Sequence, residues 1–422
     1  MTDQLSTGAL RPPAPSWLDA TRATLLTAVG FVLTGVTYGL VRMSLGQFLP
    51  EIRAELGLSE TWAGLLSSGL FAGNCIALLF AAILTHAWGP RITASLAGVL
   101  ATTGLVAMVI AETPLVFGVG MLVAGSAAGL TIPPLVAAIQ CAVRAGRRAL
   151  AITIINAGTS AGLIASAPLA FAAEGDWRVT YALFAIIAGV VTLATLLATP
   201  GRRRHLEMSE EAQDGLFVES MTVLEAFWKR SQLRVLFASA FLCGFVITSF
   251  WTFGGEALSQ LGGWTGGQIG FFWIVLGVAG LLGAPAGAVM RHFGTQAVHR
   301  VSFMALTLSI FCLIYAGLSP AVAVLGAVLQ GVAYMTISGV YLVWGVDEMP
   351  ENPSAVVAAE FFLLPAGLVA GSCVFGYGLA HFGMMPTLVA FGCLSAMGVL
   401  LKVSSKPLLS SVAPTGPMRD YA

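Results

Sequence analysis

Long apolar runs, almost free of charge, alternate with short polar connections along most of the chain. Twelve such runs can be read, at roughly residues 25–49, 61–85, 92–110, 114–143, 149–172, 179–199, 235–251, 266–290, 301–318, 321–346, 355–380 and 386–401. A membrane helix needs about 20 apolar residues. These runs are continuous rather than alternating with period two, which excludes an outward-facing β-barrel. The pattern predicts an all-α polytopic membrane protein of twelve spans.

The polar stretches divide that pattern. Residues 1–23 are polar and Pro-bearing and lack the charged start and cleavage site of a signal peptide, so they are expected to remain as a cytoplasmic tail. The longest polar interruption, 200–234, falls midway. It separates residues 24–199 from residues 235–403, each with six runs, and residues 404–422 form a second tail. Its first part is strongly charged. Its later part places Phe217, Met221, Leu224 and Trp228 on one helical face, the pattern of an amphipathic helix lying on the membrane. Lys and Arg orient the whole. Of the 20, Arg53 and Arg178 are alone in the odd-numbered connections, and Arg42 is alone within a run. All others fall in the even-numbered connections and the ends, which predicts both termini in the cytoplasm of an inner (plasma) membrane protein.

Composition narrows the function classes. The chain is 57% hydrophobic and 9% charged, with mean hydropathy +0.88, whereas soluble domains carry roughly 25% charged residues. Formal net charge is zero, so no basic field for nucleic acid exists. No Gly-rich phosphate loop with Lys appears, and no nucleophile signature. The six cysteines sit in or beside apolar runs without metal-site spacing, and the five histidines show no ligand pattern. A secondary carrier acting as a single chain without a cofactor is therefore expected rather than an enzyme. Its partners would be a small molecule, protons and the bilayer. A sensor that binds without transporting is the competing class, but it lacks an evident output domain.

The halves repeat. The connection after run 2 reads AILTHAWGPR and that after run 8 reads GAVMRHFGTQ, each with an aromatic residue just before a glycine. Run 5 holds Gly158 and Gly162, and run 11 holds Gly367 and Gly371, a spacing that lets helices approach closely in lipid. Parallel repeats of six spans are a transporter signature, with the site at the repeat interface near mid-membrane. Together with YGLVRMSLGQFLPEIRAELGLS at 38–59, INAGTSAGLIASAPL in run 5 and GDWRVTYALF opening run 6, these segments resemble the major facilitator superfamily. The resemblance implies two pseudo-symmetric six-helix bundles, alternating access by rocking, and a central cavity lined mainly by helices 1, 4, 7 and 10. The family's loop motif has an Asp that helps seal the inner gate against helix 11. His86 stands at that position here, and Ala87 at the neighbouring Arg. The family's Arg in span 4 and its drug-antiporter motif in span 5 have no counterpart.

Arg42 is the most informative single residue. A charge inside a span costs about 3 kcal/mol or more, so Arg42 either snorkels to the outer interface or serves a cavity as the cation for an anionic group. Tyr38, four residues earlier, shares its helix face. Asn156, Trp251, Gln330, Tyr334 and Tyr341 are further candidates for contact with substrate. For proton coupling or gating the candidates are Glu256, Glu360, His86 and Arg91, with a pairing of Glu360 to His86 or Arg91 expected when the inside is closed. One strong cation among apolar and aromatic positions points to a small organic monoanion, a carboxylate with an apolar or aromatic body. Symport with a proton is the favoured coupling, and efflux of lipophilic drugs is the alternative.

Overall fold

The computed structural model describes residues 17–173, 175–201, 226–283 and 286–403, and among them every regular element is helical. In the first half, α1 (Trp17–Thr34) runs through a π-helical stretch, Gly35–Met43, into α2 (Leu45–Leu56). Then come α3 (Glu60–Val109), α4 (Pro114–Gly129), α5 (Ile132–Ala142), α6 (Ala145–Ala172) and α7 (Trp177–Ala198). The second half holds α8 (Ser231–Trp251), α9 (Gly254–Gly262), α10 (Gly266–Leu282), α11 (Ala286–Phe293) and α12 (Thr295–Ile314). It ends with α13 (Pro320–Glu348), α14 (Pro353–Phe382) and α15 (Met384–Val399).

Among the described residues nine helices are long and apolar enough to cross a membrane, or ten if α10 and α11, bent by 55°, form one span. The 50 residues of α3 would reach about 75 Å at 1.5 Å per residue, more than twice a hydrocarbon core. Its backbone breaks at Gly89, with φ 82° and ψ 163°. Dividing α3 there and counting the 16-residue α15 as a span is what the expected twelve requires. The amphipathic face expected at Phe217, Met221 and Leu224, the first 16 residues and the tail from 404 lie outside the described residues. Residues 17–23, expected in the N-terminal tail, form the start of α1. Trp228 is exposed.

The backbone carries the duplication in its turns. Six glycines among the described residues have positive φ, and they fall into three pairs: Gly57 with Gly263 (62° and 64°), Gly89 with Gly294 (82° and 81°), and Gly175 with Gly383 (82° each). Each pair sits at the matching connection of its half. Two of these glycines are the ones shared by the AILTHAWGPR and GAVMRHFGTQ segments. A residue with a side chain is strained at such φ, so the two halves reverse direction by the same means.

Within each half, glycines bring helices together in the same way. A methyl on Gly158 or Gly162 of α6 would overlap the carbonyl of Phe31 or Gly35, and one on Gly367 or Gly371 of α14 would overlap that of Phe241 or Phe245. Span 5 thus packs on span 1 as span 11 packs on span 7, with side chains too small to hold the backbones apart. The segment opening α7 closes the first bundle at its end. Asp176 caps the helix, accepting from the Arg178 and Val179 amides at 2.7 and 3.1 Å. Trp177 Nε1 donates to Glu55 at 2.5 Å and Arg178 pairs with it at 2.6 Å, tying α7 to α2.

The bundles meet over the part of their length that carries Arg53. At the end that carries Arg53, Gly46 lies against the Trp251 carbonyl and Gly255 against that of Gly46. Gly64 of α3 faces Ser372 and Gly376 of α14, and Gly270 and Gly277 of α10 face Phe171 and Ile164 of α6. Lower down, Ser68 Oγ donates to the Val369 carbonyl at 2.7 Å, and Cys75 Sγ lies 3.9 Å from that of Phe362. The contact runs from the Arg53 end to about mid-height. Below it the bundles frame a cleft.

Candidate functional site

The cleft holds about 580 Å³ of empty space, with the open solvent at its mouth included. The first bundle contributes Tyr38 and Arg42 from the π-helical stretch and Asn74 and Leu78 from α3. The second contributes Tyr334, Ser338, Tyr341 and Leu342 from α13, and Glu360, Phe361, Leu364 and Pro365 from α14. The lining is mostly apolar and aromatic, with one guanidinium, Arg42, and one carboxyl group, Glu360.

Each charge is positioned by the backbone beneath it. Gly35 and Gly39 let the first helix press on α6: a methyl on Gly39 would lie 2.6 Å from Gly162 Cα. The helix widens into a π turn over this contact, as helices often do at functional sites. Arg42, 5% exposed, lies between two rings, with Cζ 5.4 Å from the Tyr38 centroid and 5.3 Å from that of Phe71. Its Nη2 has no hydrogen-bond partner. The rings stabilise a cation yet leave the fork free for an acceptor.

Glu360 is 4% exposed and neither carboxyl oxygen has a partner. Among the described residues it forms no ion pair with Arg42. Its seat exists because Gly345 has no side chain: a methyl there would overlap Glu360 Oε1. The helix start is capped by Asn352, which accepts from the Ala355 amide at 3.4 Å. Glu360 lies two turns beyond it, too far in for the helix dipole to account for a carboxylate there.

The other expected residues go elsewhere. Trp251 is buried behind Tyr334, with ring centroids 5.3 Å apart, and packs on Trp273. Gln330 is fully buried and accepts from Ser309 Oγ at 2.8 Å. Asn156 is exposed on α6. None of the three lines the cleft. Glu256 sits at the Arg53 end, 2.5 Å from Arg53 Nη1, as part of the contact between bundles. Arg91 donates from Nε to the Thr199 carbonyl at 2.7 Å, closing the end of α7. His86 is exposed beside Gly89. Neither is placed against Glu360 in this form.

One constellation behind the cleft carries no sequence signal beyond a histidine among apolar neighbours. Tyr341 donates from its hydroxyl to the Ser239 carbonyl at 3.0 Å. The Ser239 hydroxyl lies 2.9 Å from that same Tyr341 oxygen and 2.7 Å from His299 Nε2. His299 is fully buried. The chain of contacts anchors Tyr341, so that its ring rather than its hydroxyl faces the cleft.

Two repeated helical halves with paired turns thus frame a cleft between them. The profile of the Major Facilitator Superfamily matches residues 31–364. The chain belongs to this superfamily. An uncharacterized MFS-type transporter of Yersinia pestis is 24% identical over 370 residues, covering 87% of this chain and 92% of that protein. Among solved structures, the D323A mutant of the nucleoside transporter NupG superposes with TM-score 0.74 at 15% identity, covering 89% of this chain and 98% of that one. A D-xylose-proton symporter gives 0.73 at 17% identity, covering 90% and 96%. A bacterial homologue of the human lysosomal transporter Spinster, inward-facing and unoccupied, gives 0.66 at 15%, covering 92% and 93%. At these identities the likeness to solved structures is one of fold. The superfamily member described here is a multi-pass membrane transporter.

Proposed function

We propose that the chain is a proton-linked carrier of a small organic monoanion, with Arg42 as the anchor of the carboxylate and Glu360 as the carrier of the proton. The supporting observation is that Arg42, with a free Nη2, and Glu360, with neither oxygen partnered, line one cleft and come from opposite bundles. Guanidinium binds carboxylate through two parallel hydrogen bonds. Tyr38, Tyr334, Tyr341 and Phe361 offer rings to an apolar or aromatic body. An anion on Arg42 satisfies the cation and leaves Glu360 buried beside it, where protonation relieves the remaining negative charge. A cargo that touches both bundles also gives them a reason to close around it.

Two of the solved relatives are a nucleoside transporter and a D-xylose-proton symporter. Nucleosides and sugars are hydroxyl-rich, and among the described residues Asn74 is the one side-chain amide on this lining, which favours the anion. Efflux of a lipophile is the reading to which the apolar walls would turn if Arg42 served packing alone. The cleft is complete within one chain, in keeping with a monomer.

Glu360→Gln is expected to abolish accumulation driven by a pH gradient in proteoliposomes while leaving counterflow exchange at least partly intact. Undiminished accumulation by the variant would remove Glu360 from the coupling role. The placement of Lys and Arg supports an outer Arg53 end and cytoplasmic termini, so the form described is open inward. Impermeant thiol reagents should label a cysteine introduced at Glu55 from outside and one at Ser209 only after the membrane is breached. Labelling of both from one side would overturn that topology.

A further inference from the structure

At the closed Arg53 end, Glu51, Glu60 and Glu256 gather about one cation, Arg53, while Arg178 is held by Glu55. Arg53 reaches across the bundles to Glu256 Oε1 at 2.5 Å and within its own bundle to Glu60 Oε1 at 2.6 Å. Gln260 also donates to Glu256 Oε1, at 2.6 Å. Glu256 Oε2 and Glu51 Oε2 are buried and have no partner. Glu256 is only 6% exposed. Glu51, two residues before Arg53, is half-buried against the opposite bundle: a methyl built on Gly266 would lie 3.1 Å from Glu51 Oε1.

The groups facing Glu51 are few. On α2 they are Arg53, already shared, and Glu55, which is held by Arg178. α3 brings Glu60, α7 brings Tyr181, and α9 brings Glu256. α10 has no titratable residue, and in α8 Cys243 and Arg234 lie two turns and more away from Trp251. Arg42, on the π-helical stretch, lies more than two turns below.

We propose that Glu51, facing Glu256, is a proton-binding site within the outer closure, distinct from the cleft, which takes up one proton from the outer side as that end closes. With the bundles apart, both carboxylates meet water and lose their like-charged neighbour. With the bundles together, an ionised Glu51 would be desolvated beside a second carboxylate without a cation of its own. The proton moves from outer water to the Glu51 carboxylate on closure and returns on opening. Burial, with Glu256 adding to it, raises the Glu51 carboxyl above the usual carboxylate range. The sign follows: the closed end binds the proton more tightly, so acid outside favours the outward-closed form and rising pH releases it. The site regulates the alternating access proposed above but does not depend on the nature of the cargo.

The test uses substrate-free, full-length protein in a cysteine-free background. Spin labels at Glu112→Cys and Leu318→Cys report the distance across that end between about pH 5 and pH 8. The wild-type closed population should fall several-fold as pH rises. Glu51→Gln should stay closed throughout. A wild-type distance distribution that ignores pH would overturn the proposal without any variant. So would a Glu51→Gln protein that still opens with rising pH. Neither result bears on Arg42 or Glu360, which are read by binding and accumulation.

Discussion

Replacing Arg42 with Ala is expected to abolish measurable binding of the best monocarboxylate, a loss of about 2–5 kcal/mol when a desolvated charge pair loses one partner. The expectation rests on how alone this cation is. It is buried between Tyr38 and Phe71, one fork nitrogen is free, and the lining holds no other Lys or Arg. Arg42→Lys should recover only part of the affinity, because an ammonium lacks the planar fork and stacks less well. Ligand-induced thermal stabilisation across a panel of monocarboxylates is the measurement. Equal stabilisation of Arg42→Ala and wild type would show that the anchor lies elsewhere. A response confined to neutral or cationic lipophiles would transfer the reading to efflux.

A second large effect comes from glycines that do different work in the same kind of contact. Gly64 touches the other bundle: its methyl would overlap the Ser372 carbonyl and lie 2.9 Å from Gly376 Cα. Gly162 touches its own bundle at Gly35. Gly64→Val should therefore leave each bundle folded and act as a wedge between them. Overpacking costs about 1–3 kcal/mol, and about 1.4 kcal/mol is tenfold in a population, so the closed form should fall by an order of magnitude or more. Transport should be lost with little change in melting temperature. Gly162→Val should instead lower the melting temperature or the yield of folded protein. The distance across the Arg53 end, read beside thermal unfolding, separates the two. A Gly64→Val protein that still closes would contradict the role of that contact.

Much of this architecture was readable from the chain because lipid enforces a simple code. Backbone groups in hydrocarbon must pair within a helix, so apolar runs alone disclose most spans. The paired glycines of spans 5 and 11 were visible for the same reason, since small residues four apart mark close packing. Arg42 and Tyr38 stood out as a charge and a ring on one face. Glu360 was visible as a carboxylate, but not as a cleft residue, because the space it occupies is set by Gly345 on another helix. Trp251 and Gln330 look like lining from sequence and instead pack behind Tyr334 or against Ser309. The His299–Ser239–Tyr341 chain joins three helices, and no local pattern marks such a meeting. Glu51 lacked a signal too: it looks like one more acid in an exposed connection until a second bundle covers it.

The π-helical stretch bears on how the first helix tolerates changes in length. An α-helix turns about 100° per residue. Loss of one residue within Gly35–Met43 would let the wide turn relax toward α geometry, which takes up much of the lost rotation. Loss of one residue within residues 45–52, in regular α-helix, has no such slack. The hydropathy profile would be scarcely altered, and the span would still insert and still reach across the bilayer. Arg53 would nevertheless be turned by about 100° against Arg42. Arg42 would leave its rings, or Arg53 would swing off Glu256. A gene-level change invisible to topology would thus uncouple cargo recognition from the closure above it, and alignments of the first helix need to be scored by facing direction as well as by hydropathy.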